Sequence, residues 1–176
     1  MSFIDKKRKF ISVNIAVLTI SDTRSKITDS SGKLLVKSIS EHGHKIIDHE
    51  IIPDEIELIK NKILSLSKKN NLDIIITTGG TGLTGRDSTP EAILELSDKI
   101  IDGFGELFRY ISFNKIGTST IQSRAMGAII NGKYIFCLPG STNACKDAWE
   151  KILKFQLDNR NTPCNFIEIL PRLTEK

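Results

Sequence analysis

The chain has 176 residues, 39% of them hydrophobic and 26% charged, with a formal net charge of +4. That length suits one domain, and the composition builds an ordinary core under an ordinary soluble surface. No apolar run approaches the roughly 20 residues of a membrane helix, and the positive charge is too weak and scattered, without interleaved aromatics, to argue for nucleic acid.

The chain opens with a basic cluster, Lys6-Lys7-Arg8-Lys9. Too short an apolar stretch follows for a secretory signal, so residues 1–13 are expected to form a frayed, solvated arm ahead of one domain, residues 14–176. Residues 14–20 form a continuous apolar run of strand length, the pattern of a strand covered on both faces. Polar residues 21–28 follow, and a helix is predicted to begin at Asp29 or Ser30. Residues 45–52 read as a second strand. Ile56, Ile59, Ile63, Leu64 and Leu66 then recur at helical spacing within residues 54–69. Residues 73–77 are a third buried strand, which runs into Thr78-Gly79-Gly80-Thr81-Gly82.

Thr89-Pro90-Glu91 reads as a helix start, a Thr cap with Pro in the first turn. Residues 103–113 are a further predicted helix, whose Phe104, Phe108 and Phe113 offer a candidate apolar contact surface. Residues 128–138 read as a hairpin turning at Asn131-Gly132. Leu138-Pro139-Gly140-Ser141 leads into a last helix containing Ala144, Ala148, Trp149, Ile152 and Leu153. Trp149 and Phe155 are assigned to the core or to a subunit contact. The alternation of strands and helices predicts an α/β protein: a three-layer α/β/α sandwich on a mostly parallel mixed sheet with one hairpin strand.

Ligands of such sheets bind beyond the carboxyl ends of the strands. Three loops lie there: Ser21-Asp22-Thr23, residues 78–87, and Pro139-Gly140-Ser141. The middle loop is dense in glycine, which lets the backbone approach a phosphate closely. Gly80 to Gly85 matches G-x-G-x-x-G, but a dinucleotide site needs its helix to begin at the glycines. Here Arg86-Asp87-Ser88-Thr89-Pro90 intervenes, which argues against a nicotinamide enzyme. Asp54 and Asp87 fall on one sheet edge beside this loop, and two carboxylates next to a phosphate cradle suit a Mg²⁺-nucleotide site. Each has a structural alternative: Asp54 as a helix cap completed by Glu57 in a capping box, Asp87 as a brace of its own loop. Arg86 and Arg109 are candidate phosphate clamps or surface ion pairs. His42, His44 and His49 lack carboxylate spacing and are given no metal role. Cys137, Cys145 and Cys164 form no C-x-x-C pair, which argues for reduced thiols in the cytosol. Composition and spacing stop at the binding of phosphorylated small molecules, with Mg²⁺ a candidate companion.

Thr77-Thr78-Gly79-Gly80-Thr81-Gly82-Leu83-Thr84-Gly85-Arg86-Asp87, followed by Thr89-Pro90-Glu91-Ala92, resembles the signature of the molybdenum-cofactor biosynthesis proteins that include molybdopterin adenylyltransferase. Gly103-Phe104-Gly105-Glu106 with Phe108-Arg109, then Gly117-Thr118-Ser119-Thr120 with Ser123-Arg124, then Leu138 to Ser141, continue the resemblance in order. Residues 144–149 and 163–166 are similar to the protein B branch of that family. The resemblance implies a molybdopterin-binding fold assembled as a homo-oligomer, trimer or hexamer, in the cytoplasm. It implies Mg²⁺- and ATP-dependent transfer of AMP to the terminal phosphate of molybdopterin, with release of pyrophosphate. Asp54 and Asp87 then stand where the family has two essential carboxylates, catalytic and metal-holding. Thr78, Gly79, Gly80, Thr81, Gly82 and Arg86, with Pro139, Gly140 and Ser141, stand where the pterin and its phosphate are held, and Ser21 and Asp22 lie in the first loop. Other enzymes of the same pathway are implied partners. A paralogue that binds molybdopterin but turns over poorly is the alternative.

Overall fold

The computed structural model describes residues 3–175. A six-stranded mixed sheet runs in the order β3-β2-β4-β7-β6-β5. Its strands are β2 (Asn14–Ile20), β3 (Lys45–Ile52), β4 (Ile74–Thr78), β5 (Lys99–Ile101), β6 (Met126–Ile130) and β7 (Lys133–Leu138). β3, β2, β4 and β7 pair in parallel, whereas β6 is antiparallel to both β7 and β5. The central strands are buried along their length because helices cover both faces. Alternate residues therefore serve opposite cores: Ile15, Val17, Ile74, Ile76, Tyr134 and Phe136 on one face, Ala16, Leu18, Ile75, Ile135 and Cys137 on the other.

The first core is closed by α1 (Ser30–His42), α4 (Asp102–Ile116) and α5 (Thr142–Ala148), the second by α2 (Ile56–Ser67) and α3 (Thr89–Leu96). α5 continues through a π-helical turn, Trp149–Leu153, into α6 (Lys154–Gln156). α1 begins where Asp29 accepts the Gly32 amide, and ends at Gly43, whose φ of 101° suits the left-handed cap. Asn131 and Gly132, with φ of 50° and 69°, make the hairpin turn expected between β6 and β7. No helix among the described residues is long and apolar enough to cross a membrane.

Four local readings are corrected. Residues 3–13 are not a frayed arm: β1 (Phe3–Ile4) pairs antiparallel with β8 (Asn161–Thr162), and Asn159 bonds both the Ile11 amide and the Lys9 carbonyl. Phe10 packs on His44 and His42 at ring distances of 5.0 and 5.7 Å, and the Arg160 guanidinium lies over the Phe10 ring, 5.0 Å from its centre. Lys6, Lys7 and Lys9 do remain exposed. Phe104 and Phe108 belong to the core, at 3% and 2% exposure; the exposed apolar residues of α4 are Leu107, Tyr110, Phe113 and Ile116. Helix α3 has Ser88, not Thr89, at its N-cap, and Glu55, not Asp54, precedes α2. Trp149 is buried in the core, while Phe155 is partly exposed.

Candidate functional site

The chain crosses from the α1 face to the α2 face between β2 and β4, so these two strands flank the point where the winding direction reverses. A crevice forms at such a point, beyond the carboxyl ends of the strands. β2 ends at Ile20 opposite Ile52, and Thr78 stands opposite both Thr19 and Leu138. The segments after Ile20, Ile52, Thr78 and Leu138 therefore share one edge. All three loops singled out in the sequence converge there, together with Asp54.

The glycine loop is fixed by close contacts. Gly79 and Gly80 have φ of 103° and 64°. A Cβ on Gly79 would lie 2.1 Å from the Ile20 carbonyl oxygen; on Gly80 it would lie 2.2 Å from Thr89 Oγ1 and 2.7 Å from Asp54 Oδ2. On Gly82 it would lie 2.7 Å from Asp87 Oδ2. Both carboxylates thus press against glycines that have no side chain to keep them away. Thr78 is buried beneath the loop, where its hydroxyl donates to the Pro139 carbonyl at 3.0 Å and ties the second turn to the first. The Thr89 hydroxyl donates to the Gly79 carbonyl at 3.0 Å.

Asp54 is 8% exposed. Its Oδ1 accepts from the Ser88 amide at 3.0 Å and from the Ser88 hydroxyl at 2.7 Å, so it anchors the entry to α3 instead of capping α2. Its own amide donates to Asp22 Oδ1 at 3.1 Å. Asp87 Oδ2 accepts the Thr84 amide at 2.9 Å and the Thr84 hydroxyl at 2.6 Å, so the loop-bracing interaction is present. Burial pushes the Asp87 carboxyl up, but the Thr84 and Gly82 bonds and the Arg124 charge outweigh it and hold the group below the usual carboxylate range. Asp87 is therefore an anion at neutral pH.

Arg86 makes a forked pair with Asp22, Nη2 lying 2.8 and 2.9 Å from its two carboxylate oxygens and Nε 3.1 Å from Oδ2. This guanidinium links the first loop to the glycine loop. It also holds the Asp22 carboxyl below the usual range, chiefly through the hydrogen bond. Arg109 donates to the Ala125 carbonyl at 3.2 Å. The cation that grips the glycine loop is Arg124, which donates to the Gly82 and Asp87 carbonyls at 2.7 Å each and pairs with Glu91.

Two cavities flank this ridge of carboxylates. One, of about 780 Å³, is lined by Gly79, Gly80, Thr81, Gly82, Asp87 and the turn Pro139, Gly140 and Ser141, with α4 and α5 as walls. The other, of about 860 Å³, is lined by Ser21, Asp22, Lys26, Lys33, His49 and Pro53 among others. Asp54 lies between, its neighbour Pro53 on one cavity and Gly80 on the other. Sequence reasoning missed Ser112, Lys115, Gln122, Asn143 and Asp147 on the first cavity. Their only signal is topological: four sit where α4 and α5 flank the ends of β4 and β7, and Gln122 ends the short 3₁₀ segment Gly117–Gln122 that follows α4. No group of three or more His, Cys, Asp or Glu suited to a metal occurs among the described residues. Two carboxylates beside a phosphate-sized cradle still fit Mg²⁺, which takes one or two carboxylates and completes its shell with phosphate oxygens and water.

The fold and its crowded strand-end loops define a three-layer α/β protein whose ligand site lies at the carboxyl edge of the sheet. The comparisons give its family. A family model described as "Probable molybdopterin binding domain" matches residues 16–159. Molybdenum cofactor biosynthesis protein B of Escherichia coli is 45% identical over 158 residues, which cover 90% of this chain and 93% of that protein. The protein of the same name from Bacillus cereus is 45% identical over 149 residues, 84% of this chain and 88% of the relative. A crystal structure of molybdenum cofactor biosynthesis protein B superposes with a TM-score of 0.86 at 39% identity, covering 96% of this chain and all of the other. The tungsten cofactor synthesizing protein MoaB from Pyrococcus furiosus gives 0.78 at 32% identity, over 93% of this chain and 98% of the other. The chain belongs to the molybdenum cofactor biosynthesis family, in its protein B group.

Proposed function

We propose that this protein transfers AMP from ATP to the phosphate of molybdopterin, giving adenylyl-molybdopterin and pyrophosphate. The supporting observation is the seating of Asp54 and Asp87 against Gly80 and Gly82, with Asp87 on the wall of one cavity and Asp54 between it and a second. A transfer between two phosphorylated substrates needs two adjoining sites, and carboxylates at their junction suit it when a divalent cation shares the site. In this reading the pterin and its phosphate occupy the cavity over the glycine loop and the Pro139 turn. ATP occupies the neighbouring one, where Lys26 and Lys33 line the wall.

A molybdopterin phosphate oxygen attacks the α-phosphorus of ATP in line, and the bond to the leaving pyrophosphate breaks. Reactions of this kind depend on positioning and on charge stabilisation. Thr78 and Thr89 hold the two loops in fixed relation through their carbonyl bonds. Asp87, kept ionised by Thr84, and Asp54, oriented by Ser88, are the groups that would hold Mg²⁺, which when bound supplies countercharge for the phosphates. Neither carboxylate forms a covalent intermediate. The same proposal includes a cytoplasmic homo-oligomer, trimer or hexamer, and contact with other enzymes of the pathway. The exposed apolar side chains of α4 favour such an assembly.

A second reading has its own support. Asp87 Oδ2 is satisfied by Thr84 and Asp22 by Arg86, so these carboxylates also serve the loops without chemistry. That favours a paralogue which binds molybdopterin and turns over poorly. The deciding experiment measures Mg²⁺- and ATP-dependent formation of adenylyl-molybdopterin by the wild type and by Asp87→Ala. Product from the wild type, reduced at least about 100-fold in the variant, is the expected result. Molybdopterin binding without turnover would refute the transferase and leave the binding protein.

A further inference from the structure

The cavity over the glycine loop has an unbalanced lining. Among the described residues that line it, Lys115 is the one cation, against Asp87 and Asp147. Lys115 stands in the last turn of α4, and its Nζ lies 2.6 Å from Oδ1 of Asp147 on α5. The side chain of Asp147 is 11% exposed and that of Lys115 51%. The same Oδ1 has a second cation at 3.6 Å, Nζ of Lys151, one helical turn further along. A nearly buried carboxylate needs a positive partner, and here two are within reach. Asp147 can therefore keep a partner when Lys115 leaves.

A half-exposed ion pair contributes little, so releasing Lys115 is easy. Its ammonium carries three donors on a flexible stem, which suits the reorientation. An anionic ligand in this cavity faces Asp87 and Asp147, and a phosphate monoester carries nearly two charges at neutral pH. Mg²⁺ at Asp54 and Asp87 would offset the part of that repulsion due to Asp87; a cation of the wall is what offsets the part due to Asp147. Arg86 and Arg124 are already committed to Asp22 and to loop carbonyls.

We propose that Lys115 is the phosphate-recognition residue of this cavity: it exchanges Asp147 for the phosphate monoester of the entering pterin, and Asp147 passes to Lys151. The assignment rests on the pterin-phosphate reading of the site and adds to it the residue that selects phosphorylated ligands.

The test uses two probes, 6-hydroxymethylpterin monophosphate and unphosphorylated 6-hydroxymethylpterin, with binding followed by pterin fluorescence at two salt concentrations. Lys115→Gln is expected to weaken the phosphorylated probe about tenfold, as for loss of one charge-assisted hydrogen bond, and to leave the unphosphorylated probe within about twofold. Lys115→Arg retains the preference. Asp147→Asn, which removes the competing anion, tightens the phosphorylated probe about threefold and makes its affinity fall more steeply with salt than in the wild type. A Lys115→Gln variant that keeps the wild-type preference for phosphate, or that loses both probes equally, overturns the assignment while leaving the pterin site intact. If the wild type binds neither probe, the pterin-phosphate reading of the cavity fails, and Lys115 fails with it.

Discussion

Replacing Asp54 by Asn and by Ala separates its structural role from its proposed chemical one. Oδ1 accepts two bonds, from the amide and the hydroxyl of Ser88, and it does so almost out of contact with water. Alanine removes the acceptor and leaves two donors of a half-buried residue to find other partners. An unpaired buried donor costs roughly 1–3 kcal/mol; partial access to water at Ser88 brings the total to about 2 kcal/mol. For a chain of this length, 1 kcal/mol moves the melting temperature by about 2–4 °C, so Asp54→Ala should melt about 4–8 °C lower. Asparagine keeps an oxygen in the Oδ1 position, so Asp54→Asn should melt within about 2 °C of the wild type. Charge is lost in both, so adenylyl transfer should fall by about 100-fold or more in both. Differential scanning fluorimetry beside the product assay reads the two effects separately. An Asp54→Asn protein with full activity would refute the catalytic role and leave Asp54 as the anchor of Ser88. A large loss of stability in Asp54→Asn would refute the hydrogen-bond reasoning itself.

Two further outcomes follow from the same contacts. Gly79→Ala places a Cβ 2.1 Å from the backbone oxygen of Ile20 and forces alanine to a φ of 103°; because neither backbone can yield cheaply, a loss of about 2 kcal/mol or more is expected, and an unchanged denaturation midpoint would contradict the packing described. His44 concerns acid stability: burial, together with the charge of His42 and against Asp158, lowers its pKa from 6.5 to about 4. The unfolded chain thus binds more protons between those values, so the contribution is complete above about pH 6.5 and is lost as pH falls towards 4. Its size is on the order of 3 kcal/mol. Denaturant titrations from pH 7 to 4 should show this decline, with His42 shifted in the same direction, and His44→Gln should flatten it; an equal decline in the variant would refute the assignment.

The strands most legible in the sequence were those with the least ambiguous surroundings. β2 and β4 are covered on both faces, so their apolar runs are continuous and admit no other reading. α1 announces both of its ends, through Asp29 and Gly43. β5 was invisible because it is three residues long, half exposed, and held to the sheet only by β6. The docking of residues 3–13 escaped for a different reason. Its anchors, Asn159, Arg160, His42 and His44, are distant in the chain, so no local pattern reports them. On α4, the phenylalanines marked an apolar stripe correctly, but the spacing alone could not say that Phe104 and Phe108 face the sheet while Phe113 faces outward.

The candidate site divides in the same way. Glycines and aspartates placed directly after strands were legible because strand ends share an edge whatever the details of packing. Lys115 and Asp147 were not, since their meeting depends on how α4 and α5 lean over the ends of β4 and β7.

The geometry also changes what the glycines mean. In the dinucleotide pattern they bring a helix N-terminus to the pyrophosphate, yet here α3 starts only at Thr89, after Arg86, Asp87 and Ser88. Gly80 and Gly82 instead make room for Asp54 and Asp87, whose oxygens occupy the space a Cβ would take. Thr89, the first residue of α3, and Ser88, its N-cap, then bond the Gly79 carbonyl and the Asp54 carboxylate. Glycines, carboxylates and helix start thus form one mechanical unit, in which moving any member displaces the others. A loop built merely to admit a phosphate has no need of carboxylates packed against its backbone, because they repel the ligand. Their presence there is understandable if a cation shares the site with the phosphates, and that is the physical reason for proposing metal-assisted phosphate chemistry here in place of simple anion binding.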